Sequence, residues 1–128
     1  MAGRLQDRVA LITGGGGEIG GAIARRFAAE GAEVAVADLE PAKAADVAKA
    51  IGGRAQAFAV DVSNEASARE AVQRAIAAFG KLTTLVNVAA NVTPDGTVET
   101  LTLEDWNEAL AVNLTGAFLM CKYAVPEI

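Results

Sequence analysis

The feature that most constrains this chain is its alternation of short apolar runs with helix-period segments. Arg8-Val9-Ala10-Leu11-Ile12-Thr13 is an apolar run that ends in glycines, the pattern of a buried strand. Ile19, Ile23 and Phe27 then recur at four-residue steps, with Arg25, Arg26 and Glu30 off that face. That spacing predicts an amphipathic helix, which Gly31 is placed to end. Glu33 to Asp38 reads as a second strand, and Pro41 opens a second helix through about Ile51, closed by Gly52 and Gly53. Ala55 to Val60 is a third strand. Ser63 or Asn64 caps a third helix whose Ala68, Val72, Ala75, Ile76 and Phe79 form one stripe up to Gly80. Leu82 to Asn87 is a fourth strand, followed by a polar loop with Pro94 and Gly96 and a long helix from about Leu103 to Val125.

This βαβαβαβα order predicts an α/β fold: a Rossmann-like, doubly wound parallel sheet with helices on both faces. The right-handed crossover rule, with a reversal after the third strand, gives a strand order of 3-2-1-4. Residues 1–128 read as a single domain, without repeats, linkers or low-complexity segments.

Composition narrows the function. Aromatic residues are only 5% of a chain that is 52% hydrophobic, so the core is built from Ala, Val, Ile and Leu. The net charge of −5, with no basic cluster, argues against nucleic acid and anionic membrane as partners. The chain has no histidine and one cysteine, Cys121, which excludes an internal disulfide, histidine catalysis and His/Cys metal sites. Residues 1–8 lack the apolar stretch of a signal peptide, and no apolar run approaches the roughly 18 residues of a membrane span. A soluble, cytoplasmic domain is expected.

Ligands of such sheets lie beyond the carboxyl ends of the strands, and all four ends carry something. Thr13-Gly14-Gly15-Gly16-Gly17-Glu18-Ile19-Gly20 joins the first strand to the first helix. Glycines there allow a tight turn and close approach of a pyrophosphate, to which the helix presents free N–H groups. A literal G-x-G-x-x-G falls at Gly15, Gly17 and Gly20, a weak match on its own, because a glycine run is often just a flexible turn. The strand before it, the helix after it and Asp38 downstream select the dinucleotide reading. Asp38 ends the second strand, where a carboxylate accepts both hydroxyls of an adenosine ribose and repels a 2′-phosphate. Leu39 and Glu40 beside it offer no cation, so NAD is expected over NADP. Asp38 can equally cap the helix at Pro41.

A second register of the glycine run resembles the T-G-x-x-x-G-x-G motif of the short-chain dehydrogenase/reductase family. Thr13, Gly14 and Gly20 match it, and Glu18 stands where the family usually has its middle glycine. Gly16, Gly17, Glu18 and Ile19 complete the expected phosphate turn, with the Glu18 side chain turned to solvent. Asp61-Val62 resembles the family's pair against the adenine, with capping of the third helix as the competing role. Asn87-Val88-Ala89-Ala90 stands for the family's Asn-Asn-Ala-Gly, so Asn87 and Ala89 join Leu39 among the expected cofactor contacts. Val112-Asn113-Leu114-Thr115-Gly116 resembles the family's long fourth helix, and Asn113 matches the asparagine of its catalytic tetrad, which holds a water in a proton relay.

The resemblance implies an NAD-dependent oxidoreductase that passes hydride between nicotinamide and a small alcohol or carbonyl substrate. The family's serine and Tyr-x-x-x-Lys come after the segments matched here. Tyr123 is followed four residues on by Glu127 and reads as a helix-end residue. The expectation is therefore the cofactor-binding part of such an enzyme, not competent alone; a non-catalytic nucleotide-binding or assembly module is the alternative. A homo-oligomer is also expected, through the apolar fourth strand (Leu82, Leu85, Val86, Val88) and the long helix bearing Leu110, Leu114, Phe118 and Cys121.

Overall fold

A computed structural model describes residues 3–92 and 95–128; the Pro94 part of the expected polar loop lies outside the described residues. The elements run β1 (Val9–Thr13), α1 (Glu18–Ala29), β2 (Glu33–Asp38), α2 (Pro41–Ile51), β3 (Ala55–Ala59), α3 (Glu65–Phe79), β4 (Thr84–Asn87), α4 (Leu103–Leu110) and α5 (Gly116–Ala124). The four strands are all parallel, in the order β3-β2-β1-β4, as the crossover argument predicts. Thr13 pairs with Ala37 on one side and Asn87 on the other, so the ends of β1, β2 and β4 line up along one edge.

β1 is buried along its whole length, and its side chains alternate between two cores. Val9 and Leu11 face Ala68, Ala71, Val72 and Ala75 of α3 and Leu119, Met120 and Ala124 of α5. Ala10 and Ile12 face the other way, toward Ala24 of α1 and Ala44, Val47 and Ala48 of α2. A strand covered on both faces needs an unbroken apolar run, which is why Val9–Ile12 shows no polar alternation.

The structure corrects several boundaries. The inward face of α1 is Gly20, Gly21 and Ala24, with Ile23 and Phe27 only partly covered and Ile19 70% exposed. The helix lies too close to β1 for larger side chains: a Cβ on Gly20 would stand 2.1 Å from the Gly14 carbonyl oxygen. β3 stops at Ala59 and β4 starts at Thr84; Leu82 is buried ahead of the strand, and the Thr83 N–H donates to the Val9 carbonyl at 3.0 Å. Asn64, not Ser63, caps α3 by accepting from the Ser67 N–H.

The long helix is interrupted. Ala111–Thr115 form a π turn between α4 and α5, and a 3-10 turn, Val125–Glu127, follows α5. Periodicity cannot show such an insertion, because the apolar positions on either side still look helical. Taken together, Leu103–Glu127 are long and apolar enough to cross a membrane by length and composition, contrary to the expectation from runs alone. The buried stripe Gly116, Leu119, Met120 and Ala124 instead packs this segment onto α3 and β4.

Leu11 is fully buried at the centre of β1. Leu11→Ala is expected to cost about 2–5 kcal/mol of stability, read as a lower urea midpoint at unchanged slope. A loss below about 1 kcal/mol would contradict the two-sided core.

Candidate functional site

β1 runs directly into the glycine turn, and the turn is held by its own packing. Gly14 has φ +63°, the left-handed region, and a Cβ there would sit 2.8 Å from the Ala89 nitrogen. A Cβ on Gly16 would press on Lys43 of α2 at 2.7 Å. Gly14, Gly16 and Gly20 are thus required by the protein's own backbone. Gly17 differs: its φ of −82° suits any residue, and a Cβ would meet only the Gly14 oxygen at 3.5 Å. Its missing side chain leaves room on the open side of the turn.

That open side is a cleft of about 740 Å³ along the carboxyl edge of the sheet. Gly14, Gly17, Glu18, Ile19 and Gly20 form one wall, Asp38 and Leu39 the end of β2, and Asp61, Val62 and Ala89 the opposite wall. No side chain caps α1 or α2, whereas Asn64 caps α3 and Thr102 caps α4. The two helices that open on the cleft beside Asp38 therefore start without a side-chain acceptor for their leading N–H groups.

Asp38 is fixed by two backbone donors: the Gly16 N–H to Oδ2 at 3.0 Å and the Glu40 N–H to Oδ1 at 2.9 Å. The carboxylate ties the glycine turn to β2 and lines the cleft; it holds the Glu40 N–H ahead of α2 but does not cap that helix, so the capping role foreseen for it is not realised. Asp61 is similar: its Oδ1 accepts from the Ser63 N–H and hydroxyl, at 3.0 and 2.6 Å, in the turn that leads to Asn64. Glu18 is exposed at the rim, as expected from its position.

Other expected residues fall elsewhere. Thr13 is buried, and its hydroxyl accepts from the Val88 and Ala89 N–H groups at 3.3 Å while donating to the Val86 carbonyl at 3.5 Å. It joins β1 to the end of β4 and does not line the cleft. Asn87 and Asn113 meet Thr13, Val62 and Ala89 around a separate recess of about 60 Å³. The Asn113 side chain accepts from the Asn91 N–H at 2.6 Å and donates to the Asn91 carbonyl at 2.8 Å. It sits inside the π turn and pins the loop after β4 as a backbone amide would. The Tyr123 hydroxyl and the Lys122 ammonium both donate to Glu65 Oε1 at 2.6 Å, outside cleft and recess. That hydrogen bond to a carboxylate raises the Tyr123 pKa, the wrong direction for an acid at neutral pH.

Sequence reasoning missed Lys43, Glu108, Val112 and the loop residues Ala90, Asn91 and Val92, all of which line the cleft. Lys43 was findable: the first turn of a helix that follows a strand end must lie beside that end. Its ammonium pairs with Glu40 at 2.7 Å, and this hydrogen bond, then the charges of Glu40 and Asp38, hold its pKa above the usual lysine value. Among the described residues it is the one cation lining the cleft, beside Glu18, Asp38, Glu40, Asp61 and Glu108.

A parallel 3-2-1-4 sheet with a glycine turn after β1 defines a doubly wound α/β domain of the Rossmann type. The family model for short chain dehydrogenases matches residues 8–128, and the chain belongs to that family. A 2,5-dichloro-2,5-cyclohexadiene-1,4-diol dehydrogenase of Sphingobium indicum is 46% identical over the whole chain, which covers 52% of that relative. A D-threitol dehydrogenase of Mycolicibacterium smegmatis is 43% identical over 93% of the chain and 46% of its own length. The crystal structure of a 3-ketoacyl-(acyl-carrier-protein) reductase from Brucella melitensis, complexed with NADH, superposes with a TM-score of 0.91 at 39% identity. It covers 96% of this chain and 51% of that one. The chain thus spans about half the length of the relatives it matches.

The glycine argument separates two substitutions. Gly17→Ala is expected to leave the thermal melt within about 0.5 kcal/mol of the parent, while Gly20→Ala destabilises by about 1–3 kcal/mol or more. Equal effects in parallel melts would show that Gly17, too, is held by packing.

Proposed function

We propose that this chain supplies the nicotinamide dinucleotide site of an oxidoreductase acting on a small alcohol or carbonyl compound, with NAD as the cofactor. The observation that carries the reading is the cleft itself: an uncapped helix start, a glycine without a packing role and an oriented carboxylate stand together at the carboxyl edge of the sheet. The residues fit the group. The first-turn N–H groups of α1 suit a diphosphate, and Gly17 lets it approach the backbone. Asp38 Oδ1 and Oδ2 each retain acceptor capacity beside the N–H groups they already hold, which suits the two hydroxyls of a ribose. Asp61, Val62, Leu39 and Ala89 offer the walls between which an adenine and its ribose fit.

When bound, nicotinamide supplies hydride exchange with the carbon of an alcohol or carbonyl. This chain's residues bind and orient: Asp38 fixes the adenosine end, and Asn113 steadies Asn91 and so the wall beyond β4. A relay role for Asn113, as in the family's tetrad, is part of this proposal, as are the contacts of Thr13, Gly16 and Asn87 through the turns they hold in place. The dehydrogenase names of the similar proteins and the NADH complex of the Brucella reductase support the reaction class and the cofactor. A homo-oligomer built on the exposed Leu110, Leu114 and Phe118 belongs to the same reading.

NADH added to the chain is expected to show enhanced, saturable fluorescence. Asp38→Ala is expected to weaken that binding about tenfold or more, as loss of a charged acceptor of about 1.5–3 kcal/mol implies. No saturable signal up to millimolar NADH from the folded chain would overturn the proposal, and unchanged affinity in Asp38→Ala would move the ribose elsewhere.

A further inference from the structure

The charges at the end of β2 fall into two kinds. Asp38 is fixed, since each of its oxygens takes a backbone N–H. Glu40 and Lys43 are not: their side chains are 62% and 58% exposed, and they hold one another at 2.7 Å across the first turn of α2. An exposed pair at this spacing is held only weakly, so either partner can be drawn off by a stronger ion. Lys43 is nevertheless kept at the cleft. Its backbone packs against Gly16, where even a methyl group would collide with it. That contact sets the start of α2 against the same turn whose Gly16 N–H holds Asp38. The only lining cation among the described residues is thus anchored beside the fixed carboxylate, and its ammonium is occupied by Glu40.

We propose that the Glu40–Lys43 ion pair is a charge latch that sets selectivity between dinucleotides with a free and a phosphorylated 2′-hydroxyl. The inference rests on the dinucleotide reading of the cleft given above. A 2′-phosphate brings close to two negative charges and three acceptor oxygens. To bind, it must draw Lys43 from Glu40 while approaching both the Glu40 and Asp38 carboxylates. Asp38 contributes fixed repulsion. Glu40 contributes repulsion and, in addition, competes for the one available cation. Removing the Glu40 charge therefore does two things at once, and the second depends on Lys43.

The test is a double-mutant cycle read as the ratio of NADPH to NADH affinity, from fluorescence titrations of the parent chain, Glu40→Gln, Lys43→Gln and the double variant. Both side chains lie in solvent, and circular dichroism melts check that each variant is folded. Glu40→Gln is expected to shift the ratio toward NADPH by about fourfold, and adding Lys43→Gln is expected to cancel about half of that gain. The gain is also expected to shrink as salt rises from about 0.05 to 0.5 M, because the charges are exposed. A shift below twofold in Glu40→Gln overturns the latch, and so does an equal shift with and without Lys43. Failure of the parent chain to bind NADH at all overturns the cofactor reading instead, so the two failures are distinguishable.

Discussion

The Thr13 hydroxyl joins three backbone groups at the end of β4 and just beyond it: it accepts from the Val88 and Ala89 N–H groups and donates to the Val86 carbonyl. Around this joint the carboxyl edge of the sheet is organised. One residue later Gly14 turns left-handed and brings its backbone against Ala89, and four residues after Gly16 begins that turn's exit, Gly20 seats α1 on the Gly14 carbonyl. The cleft walls on the β1 and β4 sides are therefore parts of one hydrogen-bonded unit. A threonine suits the position because it presents a hydroxyl inside a strand, where its β-branch is also favoured. Valine there would keep the shape and leave two N–H groups without their acceptor.

On the β2 side the coupling is electrostatic. Asp38 binds the Gly16 N–H, and α2 begins by packing Lys43 against the same glycine. The carboxylate is consequently oriented before any ligand arrives, which is what preorganisation requires of a binding group. The surrounding acids leave the cleft with more negative than positive side chains. An anion entering the cleft would meet backbone N–H groups and helix starts, whose partial charges are fixed in direction.

Much of this was legible in the sequence, for reasons that differ by element. Strand identity and order followed from Val9–Ile12 and Val34–Ala37, which lack polar alternation because both faces are covered. The glycine turn was legible because glycine has few other reasons to occur five times in seven residues between strand and helix. The face of α1 was misjudged because hydrophobicity marks large side chains, whereas this interface selects the absence of them: Gly20, Gly21 and Ala24 are inside and Ile19 is not. Thr13 and Asn113 matched motif positions, but a motif does not say whether a side chain faces a ligand or holds the loop that does. Lys43 belongs to no motif, and only its place in the first turn of α2, directly after the end of β2, brings it to the cleft.

The π turn at Ala111–Thr115 can be described as a phase slip. An α-helix advances about 100° per residue, and a turn closed over one extra residue adds that angle once. Side chains before the slip and after it are thus indexed on two different clocks. Trp106 and Leu110 keep one hour, and Leu119, Met120 and Ala124, which must reach the sheet, keep another. Loss of one residue anywhere between positions 111 and 115 would synchronise the two, producing a more regular helix whose second half no longer faces its core. Regularity of the helix and burial of its far end are alternatives here, and the chain has taken burial.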